Sequence, residues 1–230
     1  MIQLVLVRHG QSTWNLENKF TGWVDVDLSI TGRKEADSAG KALKEKDFEF
    51  DIVYTSMLKR AIHTAYHILE QMDCIYLPVI KCWELNERHY GALQGLNKDE
   101  MRQKYGDEQV LLWRRSYDVL PPALDWKDDM NPRNDRKYAL LSDDQIPLTE
   151  SLKKTIERVV PFFEKTIIPL LREKKRVLIS AHGNSLRALC KYLENITDEQ
   201  IINLEIPTGK PLIYELDEQT LHVQKKYYLD

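Results

Sequence analysis

The sequence predicts an α/β fold, a mostly parallel central sheet flanked by helices on both faces, and two observations carry that prediction. Short apolar runs that read as fully buried strands alternate with stretches of helical period in a βαβ rhythm. Two of these runs, far apart in the chain, end in the same signature, a histidine followed by glycine. In open parallel sheets ligands bind outside the carboxyl ends of strands, so both turns are site candidates before anything else is known.

The first run is Ile2 to Val7, broken only by Gln3, and it passes directly into Arg8-His9-Gly10-Gln11-Ser12. Gln11 to Leu28, with Trp14, Gly22 and Trp23, reads as a structured loop. Thr31 is placed to cap a helix through Ala36, Ala39, Ala42 and Leu43 to about Lys46, and Asp51 to Thr55 reads as a second strand. The next helix has Arg60 near its start and Ala61, Ala65, Ile68, Leu69 and Met72 at spacings of three and four. Val79 to Trp83 is a third strand, running into the dense polar stretch Glu84 to Gly91. Two short helices fit between Lys98 and Tyr117. Asp118 to Pro147, with three prolines by Pro132, has no sustained period and reads as a loop-rich insert. Ser151 to Glu173 is helical in pattern, with Pro161 and Pro169 expected to shift or kink it. Arg176 to Ala181 is another buried strand, ending in His182-Gly183-Asn184, and Asn184 suits the cap of a helix through Leu186, Leu189 and Leu193. Thr197 and Gln200 resemble a capping box, and Leu212 to Leu216 with Leu221 to Tyr227 reads as a hairpin at the sheet edge.

The chain has 230 residues, 43% hydrophobic and 30% charged, with no Pro/Gly/Ser linker dividing it, so a single domain over residues 1–230 is expected. A net charge of -3 argues against a nucleic-acid binder. Any anion site must then be a local cationic cluster. Cys74, Cys82 and Cys190 are odd in number and form no C-x-x-C pair, which suggests neither a disulfide framework nor a zinc site. No run approaches the ~20 apolar residues of a membrane span, so a soluble cytoplasmic protein without a membrane partner is expected. The phosphate loop of NTPases, the dinucleotide turn and the H-E-x-x-H zinc helix have no match. His63 and His67 stand at i and i+4, but no carboxylate joins them in sequence, and they read as structural.

In a parallel sheet, the two strand-end imidazoles fall on one rim. An imidazole with an ordinary pKa of about 6.5 can serve as base, acid or nucleophile. Arg8, Arg60, Arg88, Lys98 and the doublet Arg114-Arg115, gathered round two histidines, would clamp a phosphate, because guanidinium forks match its oxygens. Glu87 is either a surface carboxylate paired with Arg88 or a general acid and base, and the residues alone leave both readings open.

Arg8-His9-Gly10 and His182-Gly183-Asn184 resemble the histidine phosphatase superfamily, and within it the 2,3-bisphosphoglycerate-dependent phosphoglycerate mutases. The resemblance runs through Arg8 to Asn15, Phe20 to Trp23, Thr55-Ser56 with Arg60, Glu84 to Gly91, Arg114 to Tyr117, Pro147 to Leu152 and Ser180 to Ser185. It implies His9 as the nucleophile that carries the phosphoryl group, His182 as a stabiliser of its oxygens and Glu87 as the proton carrier. Arg8, Arg60, Asn15 and Gly183 would surround the transferring phosphate. Thr21, Gly22, Arg88, Tyr90, Lys98, Arg114, Arg115 and Asn184 would hold the rest of the substrate. The same resemblance assigns Gly10, Gln11, Ser12, Thr13, Trp14 and His89 to the binding set. It further implies 2,3-bisphosphoglycerate as primer and intermediate, no metal, phosphoglycerates as the small-molecule partners, and a homodimer or homotetramer. Gln11 departs from the acidic residue more common in mutases, while Ser12 is mutase-like where bisphosphoglycerate synthases tend to have glycine. The sequence stops at Asp230 without the Lys/Gly/Ala-rich tail that covers the site in many mutases. The balance between mutase and phosphatase activity therefore stays open. The alternatives are a phosphatase or synthase of the same superfamily, or a non-catalytic phosphate-binding module.

Overall fold

The structure is a computed structural model that describes residues 1–229; Asp230 lies outside the described residues. Its strands are β1 (Ile2–Arg8), β2 (Ile52–Thr55), β3 (Val79–Lys81), β4 (Val177–Ala181), β5 (Pro211–Leu216) and β6 (Val223–Tyr228). They form one sheet in the order β3-β2-β4-β1-β5-β6. β1 to β4 run parallel, and β5 pairs antiparallel with both β1 and β6. The helices are α1 (Thr13–Leu16), α2 (Ile30–Glu45), α3 (Lys59–Gln71), α4 (Lys98–Tyr105), α5 (Asp107–Arg115), α6 (Leu152–Phe162), α7 (Ile168–Arg172) and α8 (Gly183–Glu194).

Alternation along the strands explains why the apolar runs are continuous. Leu4 and Leu6 of β1, with Val177 and Ile179 of β4, join Phe163, Leu171, Leu186 and Leu189 in one core under α6 to α8. Val5, Val7 and Leu178 turn to the opposite face and pack on Ala39, Leu43, Ala65, Ile68 and Leu69 of α2 and α3. With both faces covered, a strand has no polar side to show. Each fully buried Leu or Val contributes about 1.5–3 kcal/mol of burial energy.

Several boundaries differ from the sequence expectation. Ser29, not Thr31, caps α2: its backbone is extended and its Oγ accepts the Gly32 N–H at 3.0 Å. The Ser29 N–H donates to the Gln11 carbonyl at 2.8 Å, which fixes the helix start earlier. His182, not Asn184, caps α8, with Ser185 Oγ accepting the His182 N–H at 3.1 Å. The third strand ends at Lys81, and a 3₁₀ turn at Trp83–Leu85 swings the polar stretch onto the rim of the sheet. Between α6 and α7 the chain widens into a π-turn, Phe163–Ile167. Pro169 has no N–H to return to the carbonyl four residues back, and the wider turn accommodates its ring. Residues 118–147 hold three single 3₁₀ turns, Pro132–Asn134, Arg136–Tyr138 and Asp143–Gln145. Tyr138 is buried there, and its hydroxyl accepts from Asn86 Nδ2 at 2.8 Å. Among the described residues no helix is long and apolar enough to cross a membrane.

Candidate active site

Strand register assembles the histidine pair. β1 and β4 are neighbours with Arg8 opposite Ala181, so the next residues, His9 and His182, leave the sheet side by side. Their ring centroids are 5.0 Å apart with planes at 61°. The His9 N–H extends the ladder by donating to the Ala181 carbonyl at 2.9 Å. Gly10 then passes so close to α2 that a Cβ would lie 2.1 Å from the Gly32 carbonyl oxygen, which requires glycine.

Hydrogen bonding fixes the His9 tautomer and holds His182 in place. His9 Nδ1 lies 2.6 Å from the Gly10 carbonyl oxygen, which can only accept. Nδ1 therefore carries the proton and Nε2 keeps its lone pair, the form a nucleophile needs. His182 Nε2 lies 2.7 Å from Ser56 Oγ, and that oxygen already accepts the Leu58 N–H at 3.1 Å. Ser56 Oγ thus anchors the Nε2 side of the ring, and His182 Nδ1 is a buried atom with no hydrogen-bond partner. Burial, then the guanidinium groups of Arg60 and Arg8, push His9 well below the usual imidazole range. Burial, Arg60 and His9 do the same to His182. Both rings are neutral at pH 7.

A cavity of about 300 Å³ opens at these strand ends. One group of its lining residues gathers around His9: Arg8, Asn15, Thr21, Gly22, Arg60, Glu87 and Gly183. Arg8 donates to the Ile206 carbonyl at 2.8 Å and keeps its buried Nε free. Arg60 donates to the carbonyls of Val24 and Gly22 at 2.9 and 2.7 Å, and burial lowers its pKa to about 10, so it stays cationic. Glu87 Oε1 accepts the backbone N–H groups of Arg88 and Asn184 at 2.7 and 3.1 Å. A second lining group, Lys98, Arg114, Arg115 and Arg187, comes from α4, α5 and α8, with Tyr90 and Asn184 beside it. Burial, Arg114 and Arg8 lower the Lys98 pKa to about 8. Glu205 lines the same wall and pairs with Arg115.

Thirteen of the expected site residues therefore meet at one cavity, namely Arg8, His9, Asn15, Thr21, Gly22, Arg60, Glu87, Tyr90, Lys98, Arg114, Arg115, Gly183 and Asn184. His182 stands behind the lining, against His9. The other residues of the expected binding set do not line the cavity and make contacts around it. Gly10 makes the close approach to α2. Gln11 ties the loop to that helix, its N–H donating to Glu35 and its side chain accepting from Ser29 Oγ. Ser12 caps α1, and its N–H donates to Asn15 Oδ1 at 3.0 Å. The Thr13 N–H bonds the Asp27 carbonyl, and Trp14 packs under Lys19, whose Nζ lies 5.5 Å from the ring centroid. Arg88 is fully buried and does not line the cavity; its Nε and Nη2 donate to the carbonyls of Glu150, Trp113 and Val119, and its buried Nη1 has no partner. His89 is held by Glu150 through its N–H and by the Gly91 N–H at Nδ1, and burial lowers its pKa to about 4.

The structure adds Lys19, Arg187 and the segment Leu204 to Pro207 to the wall. Arg187 carried a signal, a cation amid the apolar residues Leu186, Ala188 and Leu189 of a buried helix face. His63 and His67 do meet carboxylates, Asp27 at 2.7 Å and Asp37 at 2.8 Å, but as separate pairs.

An α/β sheet that delivers a neutral, lone-pair-bearing histidine into a cationic cavity defines a protein suited to phosphoryl groups. The chain belongs to the histidine phosphatase superfamily, branch 1, whose family model matches residues 4–227. Among solved structures it is similar to a mycobacterial glucosyl-3-phosphoglycerate phosphatase complexed with VO3, with a TM-score of 0.74, 20% identity, and coverage of 99% of this chain and 97% of that one. The alpha-ribazole phosphatase of Shigella flexneri gives a TM-score of 0.69 and 23% identity over 96% of this chain and 95% of its own. YhfR of Bacillus stearothermophilus gives 0.68 and 24% over 96% and 95%. At these identities the likeness shows the shared fold.

Proposed function

We propose that the chain is a 2,3-bisphosphoglycerate-dependent phosphoglycerate mutase that interconverts 3- and 2-phosphoglycerate through phosphorylated His9. The observation that carries this reading is the double cationic lining of the cavity. Arg8 and Arg60 suffice for one phosphoryl group at His9, whereas Lys98, Arg114, Arg115 and Arg187 are cations in excess of that need. A substrate with a second anionic group, a carboxylate or another phosphate, uses both sets. Among the buried polar atoms without protein partners, Arg8 Nε, Thr21 Oγ1 and His182 Nδ1 suit such a ligand.

His9 Nε2 attacks phosphorus as the bond to the departing oxygen breaks, and Glu87 returns a proton to that oxygen. In the reverse direction Glu87 takes the proton from the accepting hydroxyl. Arg8 and Arg60 neutralise the equatorial oxygens, and His182 Nδ1–H donates to them. One guanidinium about 4 Å from the phosphoryl charge supplies roughly 4 kcal/mol of gross attraction at an effective dielectric of 20. When bound, 2,3-bisphosphoglycerate supplies the phosphoryl group that primes His9. The reaction would serve glycolysis and gluconeogenesis in the cytoplasm, and we include self-association into a dimer or tetramer, which light scattering measures.

A phosphatase reading is supported by the similar solved structures that are named phosphatases; water then replaces the substrate hydroxyl. Assaying 3-phosphoglycerate conversion with and without 2,3-bisphosphoglycerate, in chelator, beside phosphate release, separates the two. Conversion that requires the bisphosphate and outpaces phosphate release is the expected result. Phosphate release that outpaces conversion overturns the mutase reading.

A further inference from the structure

Arg187 is 4% exposed, lies on α8 one turn beyond Asn184, and lines the cavity. One terminal nitrogen donates to Asn184 Oδ1 at 2.8 Å. The other donates to the Ile201 carbonyl at 2.6 Å and to the Arg115 carbonyl at 3.4 Å. A single side chain therefore joins three parts of the wall: α8, the last residue of α5, and the turn Gln200–Asn203 that leads into the lining residues Leu204 to Pro207.

Two consequences follow for the cavity. Because Arg187 occupies Asn184 Oδ1, the amide nitrogen turns to the Tyr90 hydroxyl, 3.2 Å away, and Asn184 is oriented as a donor on that side. Because Arg187 holds the carbonyl of Arg115, the end of α5 that carries Arg114 and Arg115 is fixed to α8. A helix face so apolar would pack at lower cost with leucine, and burial lowers the Arg187 pKa to about 10. The cation is retained where its fork organises other donors.

We propose that Arg187 is a positioning residue that sets specificity, orienting Asn184 and the Arg114-Arg115 end of α5 so that the cavity prefers ligands bearing a second anionic group over a lone phosphate. The proposal rests on the two-group reading of the cavity given above.

Calorimetric titration of wild type, Arg187→Gln, Arg187→Lys, Asn184→Ala and the Asn184→Ala/Arg187→Gln pair, with 3-phosphoglycerate and with inorganic phosphate, tests it. Arg187→Gln is expected to weaken 3-phosphoglycerate by about tenfold or more and phosphate by less than about threefold. Arg187→Lys, which keeps the charge but loses the fork, falls between wild type and Arg187→Gln. The double variant binds 3-phosphoglycerate within about threefold of the weaker single variant, because the two residues act as a unit. Equal weakening of both ligands, or fully additive single effects, overturns the proposal. If Arg187→Gln does not fold, the same comparison of the two ligands in Arg187→Lys decides. A wild type that binds 3-phosphoglycerate more tightly than phosphate but forms no 2-phosphoglycerate defeats the mutase reading and leaves Arg187 to be judged by its variants. A wild type that binds the two equally defeats both.

Discussion

Beneath the cavity, Arg158 and Glu150 form a closed unit, whereas in the cavity wall Arg8 and Arg187 leave donors open. Arg158 meets both Glu150 oxygens at 2.7 and 2.8 Å and also donates to the carbonyls of Glu84, Asn86 and Glu87. Glu150 in turn accepts the His89 N–H, so this pair holds the backbone of the Glu84 to Tyr90 stretch in place. Arg8 and Arg187 are each left with a buried, unpartnered Nε. The same residue type thus does two jobs. Arg158 is scaffold with its fork spent on the protein, whereas the open Nε of Arg8 can take a bound acceptor, which recovers the free energy that a buried donor without a partner costs.

The comparison can be broken by exchanging the effects of the two regions. His9→Ala is expected to lower phosphoryl transfer at least about ten-thousandfold and to abolish the acid-labile phosphoryl mass seen after incubation with 2,3-bisphosphoglycerate. Its melting temperature should stay close to that of wild type, since the one hydrogen bond lost from its side chain is to the adjacent Gly10 carbonyl. Arg158→Met should do the reverse. Removing one partner of a buried pair leaves Glu150 uncompensated and is expected to cost about 3–5 kcal/mol in urea unfolding. A His9 variant that unfolds, or an Arg158 variant of native stability, would erase the distinction.

The smallest effect sharpens the comparison within the cavity. Lys98 carries its charge below its pKa of about 8 and loses it above, so the wall loses a cation as pH rises. KM for 3-phosphoglycerate should rise by up to about fivefold between pH 8 and pH 9, the fall in the ammonium fraction of a group with its pKa at about 8. Arg60, lowered only to about 10, keeps its charge over that interval. Lys98→Arg should flatten the profile, and an unchanged profile in that variant counts against Lys98 as the titrating group.

Much of the site was legible because strand ends announce themselves: an apolar run that stops at Arg8-His9 or at His182 has few other readings in a parallel sheet. The cations Arg60, Lys98, Arg114 and Arg115 were legible through motif resemblance. The motif could not separate side chains that line the cavity from those that do not. Gln11, Ser12, Arg88 and His89 lie within contiguous signature blocks yet do not line the cavity. Leu204 to Pro207 gave no local signal, since the wall receives that segment through distant partners: Arg8 donates to the Ile206 carbonyl, Arg115 pairs with Glu205, and the Gly209 N–H bonds the Arg8 carbonyl at 2.9 Å.

The sequence by itself determined the alternating buried strands and helices, and with them the rim on which two histidines stand. Those are consequences of local pattern, of apolar period and of the residues that end it. Only the tertiary structure decided that Arg8 pairs with Ala181 and Thr55 with Ser180, which puts His9, His182 and Ser56 in contact. It alone decided which arginines were saturated. Register depends on strand partners more than a hundred residues away, and the fork of Arg158 is filled by carbonyls more than seventy residues away, so no short window of sequence contains both halves of such a bond.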